Sequence, residues 1–274
     1  MLTRTTGYLS SVSSHSLQPY RGCSFGKALC GAGCYVRHNR YVTQGRPWGE
    51  FLEVRTNAAE SYLENVSRER RWARSSKGKF VIFLSSSTEP FVPQEFRYGV
   101  TRSVLEAMRE EPPDGLILQT HSHRVLEYLD LYQRLNKKCD LRIHVSIETD
   151  RESIPGLPRH ASRVEDRFKA AKQLKSAGIR TVITVSPILP VKDPERFFRR
   201  IAECAHAVVL DHFVEGDGSR QGQRTLKTEL PAAMAAVDER STALEYRDEL
   251  VAVARKHLPE STGVSIEGFA GRFL

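Results

Sequence analysis

Three pieces decide the fold class: Leu141-Arg-Ile-His-Val-Ser-Ile147, then Val164-Glu-Asp-Arg-Phe-Lys-Ala-Ala-Lys-Gln-Leu-Lys-Ser176, then Thr181-Val-Ile-Thr-Val185. The first and last are short apolar runs rich in β-branched residues, the signature of strands buried on both faces. The middle piece repeats Val164, Phe168, Ala171 and Leu174 on one helical stripe. Its spacing predicts a helix over 162–177, which Gly178 stops. Strand, helix and strand in that order make a βαβ unit, which builds parallel sheet.

The alternation continues outward from this unit. Residues 80–84 (FVIFL), 116–119 (LILQ), 207–210 (AVVL) and 263–266 (GVSI) read as further strands, with helical patterns near 57–73, 94–110, 124–137, 194–205 and 242–257. Residues 8–17 read as one more strand ahead of these. Six or more such units suggest an α/β fold closing into a partial barrel. We expect a single domain over 1–274, with a core at 17–213 and a C-terminal extension at 214–274. The most loop-like stretch, 215–230, follows a strand, where a βα barrel builds its active face.

Composition removes several classes. The 274 residues carry 41 Lys+Arg against 33 Asp+Glu, a net charge of +8, and 40% are hydrophobic, which excludes a disordered polyampholyte and a fibrous repeat. No apolar run reaches the ~18 residues of a membrane span, and residues 1–20 lack the apolar centre of a secretory leader. The expectation is a cytoplasmic protein without a membrane partner. Its positive balance suits a polyanionic partner such as nucleic acid.

Three of the five cysteines crowd into one Gly-rich segment, Cys23, Cys30 and Cys34, spaced C-x6-C-x3-C and followed by Tyr35. In a reducing compartment that grouping points to metal rather than to disulfides. Three thiolates on one loop suit three irons of a [4Fe–4S] cluster and leave the fourth iron open to a small molecule. The same residues with His38 would equally complete a zinc tetrahedron in a nucleic-acid-binding protein, and three unligated thiols are the remaining reading.

The neighbouring motifs separate these readings. PYRGC at 19–23, GCY at 33–35, SSSTEP at 85–90, LILQTHSH at 116–123, HVSIE at 144–148, the helical segment at 164–179 and TVITVSPILP at 181–190 follow one another along the chain. In this order they resemble the radical S-adenosylmethionine superfamily, and within it the spore photoproduct lyase-like family, over roughly residues 17–213. The resemblance implies a partial (β/α)6 barrel with an extended cluster-binding loop. It also implies a [4Fe–4S] cluster on Cys23, Cys30 and Cys34, and S-adenosylmethionine (AdoMet) chelating the open iron. The activity implied is a lyase-type, DNA repair-like reaction, in which an external one-electron reductant drives cleavage of AdoMet to a 5′-deoxyadenosyl radical.

Carried over by position, Thr88 and Glu89 fall where the family receives the methionyl amino group. Thr120 and His121 follow, with His121 where relatives carry lysine; Ser146 ends a strand and Arg167 opens a helix where a cation meets the methionyl carboxylate. Ser186 begins the Ser-Pro-Ile run that resembles the element beside the adenine. The cluster loop is longer than the superfamily's usual C-x3-C-x2-C, which requires it to bulge outward. Ser86 lies near the position of the family's hydrogen-donating cysteine, so a donor is sought in Cys139, Cys204 or Tyr98.

Arg68, Arg70, Arg71, Arg74, Lys77 and Lys79 gather around Trp72 and read either as a phosphate-binding patch or as a solvated helix end. The tail from Thr262 reads as a strand closing one edge of the barrel. Substrate and oligomeric state are not legible in the sequence.

Overall fold

The computed structural model describes residues 2–273. In chain order its strands are β1 (Thr3–Arg4), β2 (His15–Leu17), β3 (Tyr20–Gly22), β4 (Leu52–Val54), β5 (Val81–Leu84), β6 (Gly115–Thr120), β7 (Asp140–Ser146), β8 (Arg180–Val185), β9 (Ala207–Leu210) and β10 (Thr262–Val264). β3 and β4 pair with each other alone; the other eight form one sheet in the order β1-β2-β5-β6-β7-β8-β9-β10. Every pair in that sheet is parallel except β1 with β2.

The βαβ reading of the central stretch is borne out, with helix Val164–Ser176 between β7 and β8. Helices Ala58–Lys77, Val100–Glu110, Leu129–Leu135, Pro194–Cys204 and Leu244–His257 occupy the other expected positions. Two expected elements are shorter than the pattern suggests. Residues 8–17 form a strand only at His15–Leu17, because Gly7 takes a φ of +56° and a 3-10 turn over Gly7–Ser11 precedes it. The strand at 263–266 stops at Val264, where Ser265 turns to a φ of 46° and begins the short helix Ser265–Phe269.

Both faces of the parallel strands are buried, which is why they read as continuous apolar runs. Ile82, Leu84, Leu116, Leu118, Ile143 and Val145 point outward into the main core under the helices. The alternate residues Phe83, Ile117, Val182 and Val209 point inward and meet Phe269. The Phe83 and Phe269 ring centroids lie 6.5 Å apart. Phe83 sits on β5 and Phe269 just past β10, five strand steps away. A flat sheet with strands about 4.8 Å apart would separate them by about 24 Å, so the sheet is rolled. Tyr8, between β1 and β2, closes the roll by donating its hydroxyl to Asp211 Oδ2 after β9, at 3.2 Å.

Candidate active site

Cys23 leaves β3 and enters a segment folded as a 3-10 turn (Ser24–Lys27), one helical turn (Leu29–Ala32) and a second 3-10 turn (Tyr35–His38). The residues that lengthen this loop are thus folded into compact turns. Their packing depends on glycine: a Cβ on Gly31 would lie 2.3 Å from the Gly26 backbone, and one on Gly26 would lie 2.4 Å from the Gly49 Cα. The loop cannot take larger residues there without opening.

Cys23, Cys30 and Cys34 all line one cavity of about 570 Å³. Its other walls come from the C-terminal ends of the parallel strands: Ser85 to Glu89 after β5, Gln119 and His121 at the end of β6, Glu148 after β7, Ser186 after β8 and Asp211 after β9. That is the face where a βα barrel collects function. Burial pushes the Cys23 thiol up to about 12 and the Cys34 thiol up to about 11, so both stay protonated until a cation replaces the protons.

A buried wall of alternating charge faces the cysteines. Glu89 accepts hydrogen bonds from Thr120 Oγ1 at 2.5 Å, from the His121 amide at 2.8 Å and from the Phe91 amide at 3.0 Å. His121 Nδ1 lies 3.7 Å from Glu89, and its Nε2 lies 3.0 Å from Glu148 Oε1. Burial alone would lower the His121 pKa, but the two carboxylates outweigh it and lift the value to about 9. His121 is therefore an imidazolium at neutral pH. Arg167 holds the far side of Glu148 at 2.8 Å and keeps that carboxyl far below the usual range against its own burial.

The floor beneath this wall is polar. Gln119 Nε2 donates to Ser146 Oγ at 3.2 Å, and Ser146 Oγ shares a hydrogen bond of 2.9 Å with Thr184 Oγ1. The buried hydroxyls of Ser85 and Thr88, both on the cavity wall, have no hydrogen-bond partner among the described residues. Such orphaned groups are what a polar ligand would satisfy. Asp211 receives Ser265 Oγ at 2.7 Å as well as Tyr8, yet burial holds its pKa up at about 6.

The sequence-predicted residues divide into two groups. Cys23, Cys30, Cys34, Thr88, Glu89, His121 and Ser186 line the cavity together. Thr120, Ser146 and Arg167 lie behind its wall. The Arg167 guanidinium, expected to face a ligand, is 1% exposed, and its Nη atoms are engaged by Glu148, by the Ser146 carbonyl at 2.5 Å and by His160 Nδ1 at 3.0 Å. Glu148 and Asp211 were missed, although each is an acid just past a strand end, the signal that had singled out Glu89.

Cys139, Cys204 and Tyr98 are outside the cavity lining, whereas Ser86 and the phenols of Tyr8 and Tyr35 belong to it. Tyr35 donates to the Ser86 carbonyl at 2.8 Å. His38 is exposed and off the cavity. Among the described residues no three His, Cys, Asp or Glu side chains converge on a single metal ion, while the three cysteines share one cavity. The basic stretch is largely spent on structure: Arg68 pairs with Glu69, Arg70 with Glu111 and Arg74 with Asp114, while Trp72 packs on the core under the Arg4 guanidinium.

The strand ends of a rolled, mostly parallel sheet thus frame the three-cysteine loop. Among solved structures the chain matches spore photoproduct lyase. One cysteine-to-serine variant aligns with a TM-score of 0.64 and 15% identity, covering 97% of this chain and 78% of that one. A double variant with bound AdoMet and dinucleoside spore photoproduct aligns with a TM-score of 0.59 and 16% identity, covering 92% and 76%. At this identity the likeness establishes the fold. No protein-family model matches the sequence, and no curated protein does. No helix among the described residues is long and apolar enough to cross a membrane.

Proposed function

We propose that this chain is a radical S-adenosylmethionine enzyme of lyase type acting on a nucleic-acid-like substrate. The observation that carries the reading is the meeting of Cys23, Cys30 and Cys34 with the Glu89, His121 and Glu148 wall in one cavity on the functional face of the sheet. The three cysteines would hold a [4Fe–4S] cluster. When bound, cluster and AdoMet would supply reductive cleavage to a 5′-deoxyadenosyl radical, fed by an external one-electron donor.

The chain's own residues position and shield. Glu89, immobilised by Thr120 and two backbone amides, offers fixed negative charge to the methionyl ammonium, with the free Thr88 hydroxyl beside it. His121, kept protonated by its two carboxylates, offers positive charge to the methionyl carboxylate in the role expected of Arg167. Ser146 and Arg167 act one layer back by fixing Gln119 and Glu148. Ser186 brings backbone to the adenine side of the cavity. The neighbouring structure that contains a dinucleoside spore photoproduct favours a nucleic-acid-like substrate, and the reading includes a cytoplasmic enzyme working as one unit over 1–274. Zinc on Cys23, Cys30, Cys34 and His38 is not favoured, because His38 faces solvent.

The test is iron and sulfide analysis with an absorption spectrum on protein prepared without oxygen, beside a Cys23/Cys30/Cys34→Ala triple variant. About four irons and four sulfides per chain, absent from the variant, followed by dithionite-dependent 5′-deoxyadenosine, is the expected outcome. Colourless protein carrying about one zinc per chain would overturn the reading.

A further inference from the structure

Two segments distant in sequence line the cavity and carry exposed residues beside it. One holds Asn39 and Val42, and the other holds Arg224 and Thr225; all four line the cavity. Arg37 and Glu229 join the segments by an ion pair at 3.2 Å. Between the two lining residues of the first segment stands Tyr41, whose side of the helical turn Arg40–Thr43 faces water and which is 94% exposed.

An exposed aromatic on its own is ordinary. The backbone of this one is anchored beside the cavity lining. Arg21 donates from Nη2 to the Tyr41 carbonyl at 3.1 Å and from Nε to the Val42 carbonyl at 2.8 Å. Asn39 caps the turn by accepting from the Tyr41 amide at 3.1 Å. Leu226, 55% exposed, stands on the opposite segment.

The charge around these two segments is unbalanced. Arg40, Arg220, Arg224 and Lys227 have no carboxylate partner among the described residues. The acids nearby are committed elsewhere: Glu229 to Arg37, Glu215 to Arg247, and Asp217 to Ser219 and the Thr225 amide. The contrast with 67–79 is sharp, because three of the arginines there are paired.

We propose that this surface docks a single-stranded nucleic-acid segment, with Arg40, Arg220, Arg224 and Lys227 on its phosphates and one unpaired base stacked on Tyr41. Four cations without counter-charges fit a phosphodiester backbone, and a solvent-exposed phenol on an anchored backbone fits a base outside a helix. A duplex keeps its bases stacked internally and offers none to Tyr41. The inference rests on the proposed function and deepens it, since the unit entering the cavity would be part of a strand and not a free nucleoside.

The experiment is fluorescence anisotropy with a 5′-labelled oligothymidylate of about 12 nucleotides, a length in the usual range for such grooves. It uses cluster-loaded protein at several salt concentrations. We expect saturable binding that Tyr41→Ala weakens by about 5- to 150-fold. The pair Arg40→Glu and Lys227→Glu should reduce the log–log salt slope by about 1.4, and Arg71→Glu with Lys79→Glu should leave it unchanged. Absence of saturable binding at low salt overturns the proposal, as does an unaltered affinity in Tyr41→Ala. Iron and sulfide content of the same preparation tests the cluster independently, so failure of one reading is distinguishable from failure of the other.

Discussion

His121 is the residue whose protonation organises the wall. Its pKa is lifted from the ordinary 6.5 to about 9 in the folded state, so the proton it binds favours folding. That contribution is complete below the unfolded value and disappears as pH rises through about 9. Urea denaturation between pH 6 and 10 should show wild-type stability falling over this window relative to His121→Asn, which lacks the proton; parallel curves for the two would remove His121 from this role. The same residue shows what sequence can and cannot convey. Glu89 and His121 were singled out by their places in the family resemblance, Glu89 also by its strand-end position, and both line the cavity. Arg167 was carried over from the same resemblance, but a cation at a helix start has two directions to point, and a buried glutamate just past the neighbouring strand claims it.

At the scale of elements, the cysteine segment departs most from its expected form. A longer spacing was read as an outward bulge, and the residues form tight turns that pack through glycines. Nothing periodic announces such turns, since close approach between Gly26, Gly31 and Gly49 is a tertiary fact. Gly31→Ala places a methyl where the Gly26 backbone already stands, which forces the turn carrying Cys30 to move. The variant should retain its three cysteines yet assemble well under half the wild-type iron and sulfide, with unchanged far-ultraviolet circular dichroism. Full cluster occupancy in Gly31→Ala would show that the loop adapts. The strands and long helices were legible for the opposite reason: their periodicity reports burial, and here burial on both sheet faces agrees with it.

At the scale of the molecule, the strand order follows chain order around the roll with one exception, the pair β3 and β4 that carries the cysteine segment outside the sheet. This sequential order was implicit in the βα alternation, while the degree of closure was not. Closure depends on single contacts such as Tyr8 to Asp211 and Phe83 to Phe269, made by residues that no local pattern relates.

Tyr8 and Asp211 are separated by 203 positions along the chain, and contacts of such span are slow to form. The ladder from β5 to β9 can grow by joining successive neighbours, but the seam must wait for both ends. During that interval the edges of β5 and β9 stand open to other chains. In pulsed hydrogen exchange during refolding, amides of β6, β7 and β8 should become protected before those of β2 and β10; simultaneous protection would mean the seam closes with the rest. The order of assembly also dates the cavity, for its Asp211 side takes shape only when the seam does, and until then the chain has strands but no enclosed chamber to load.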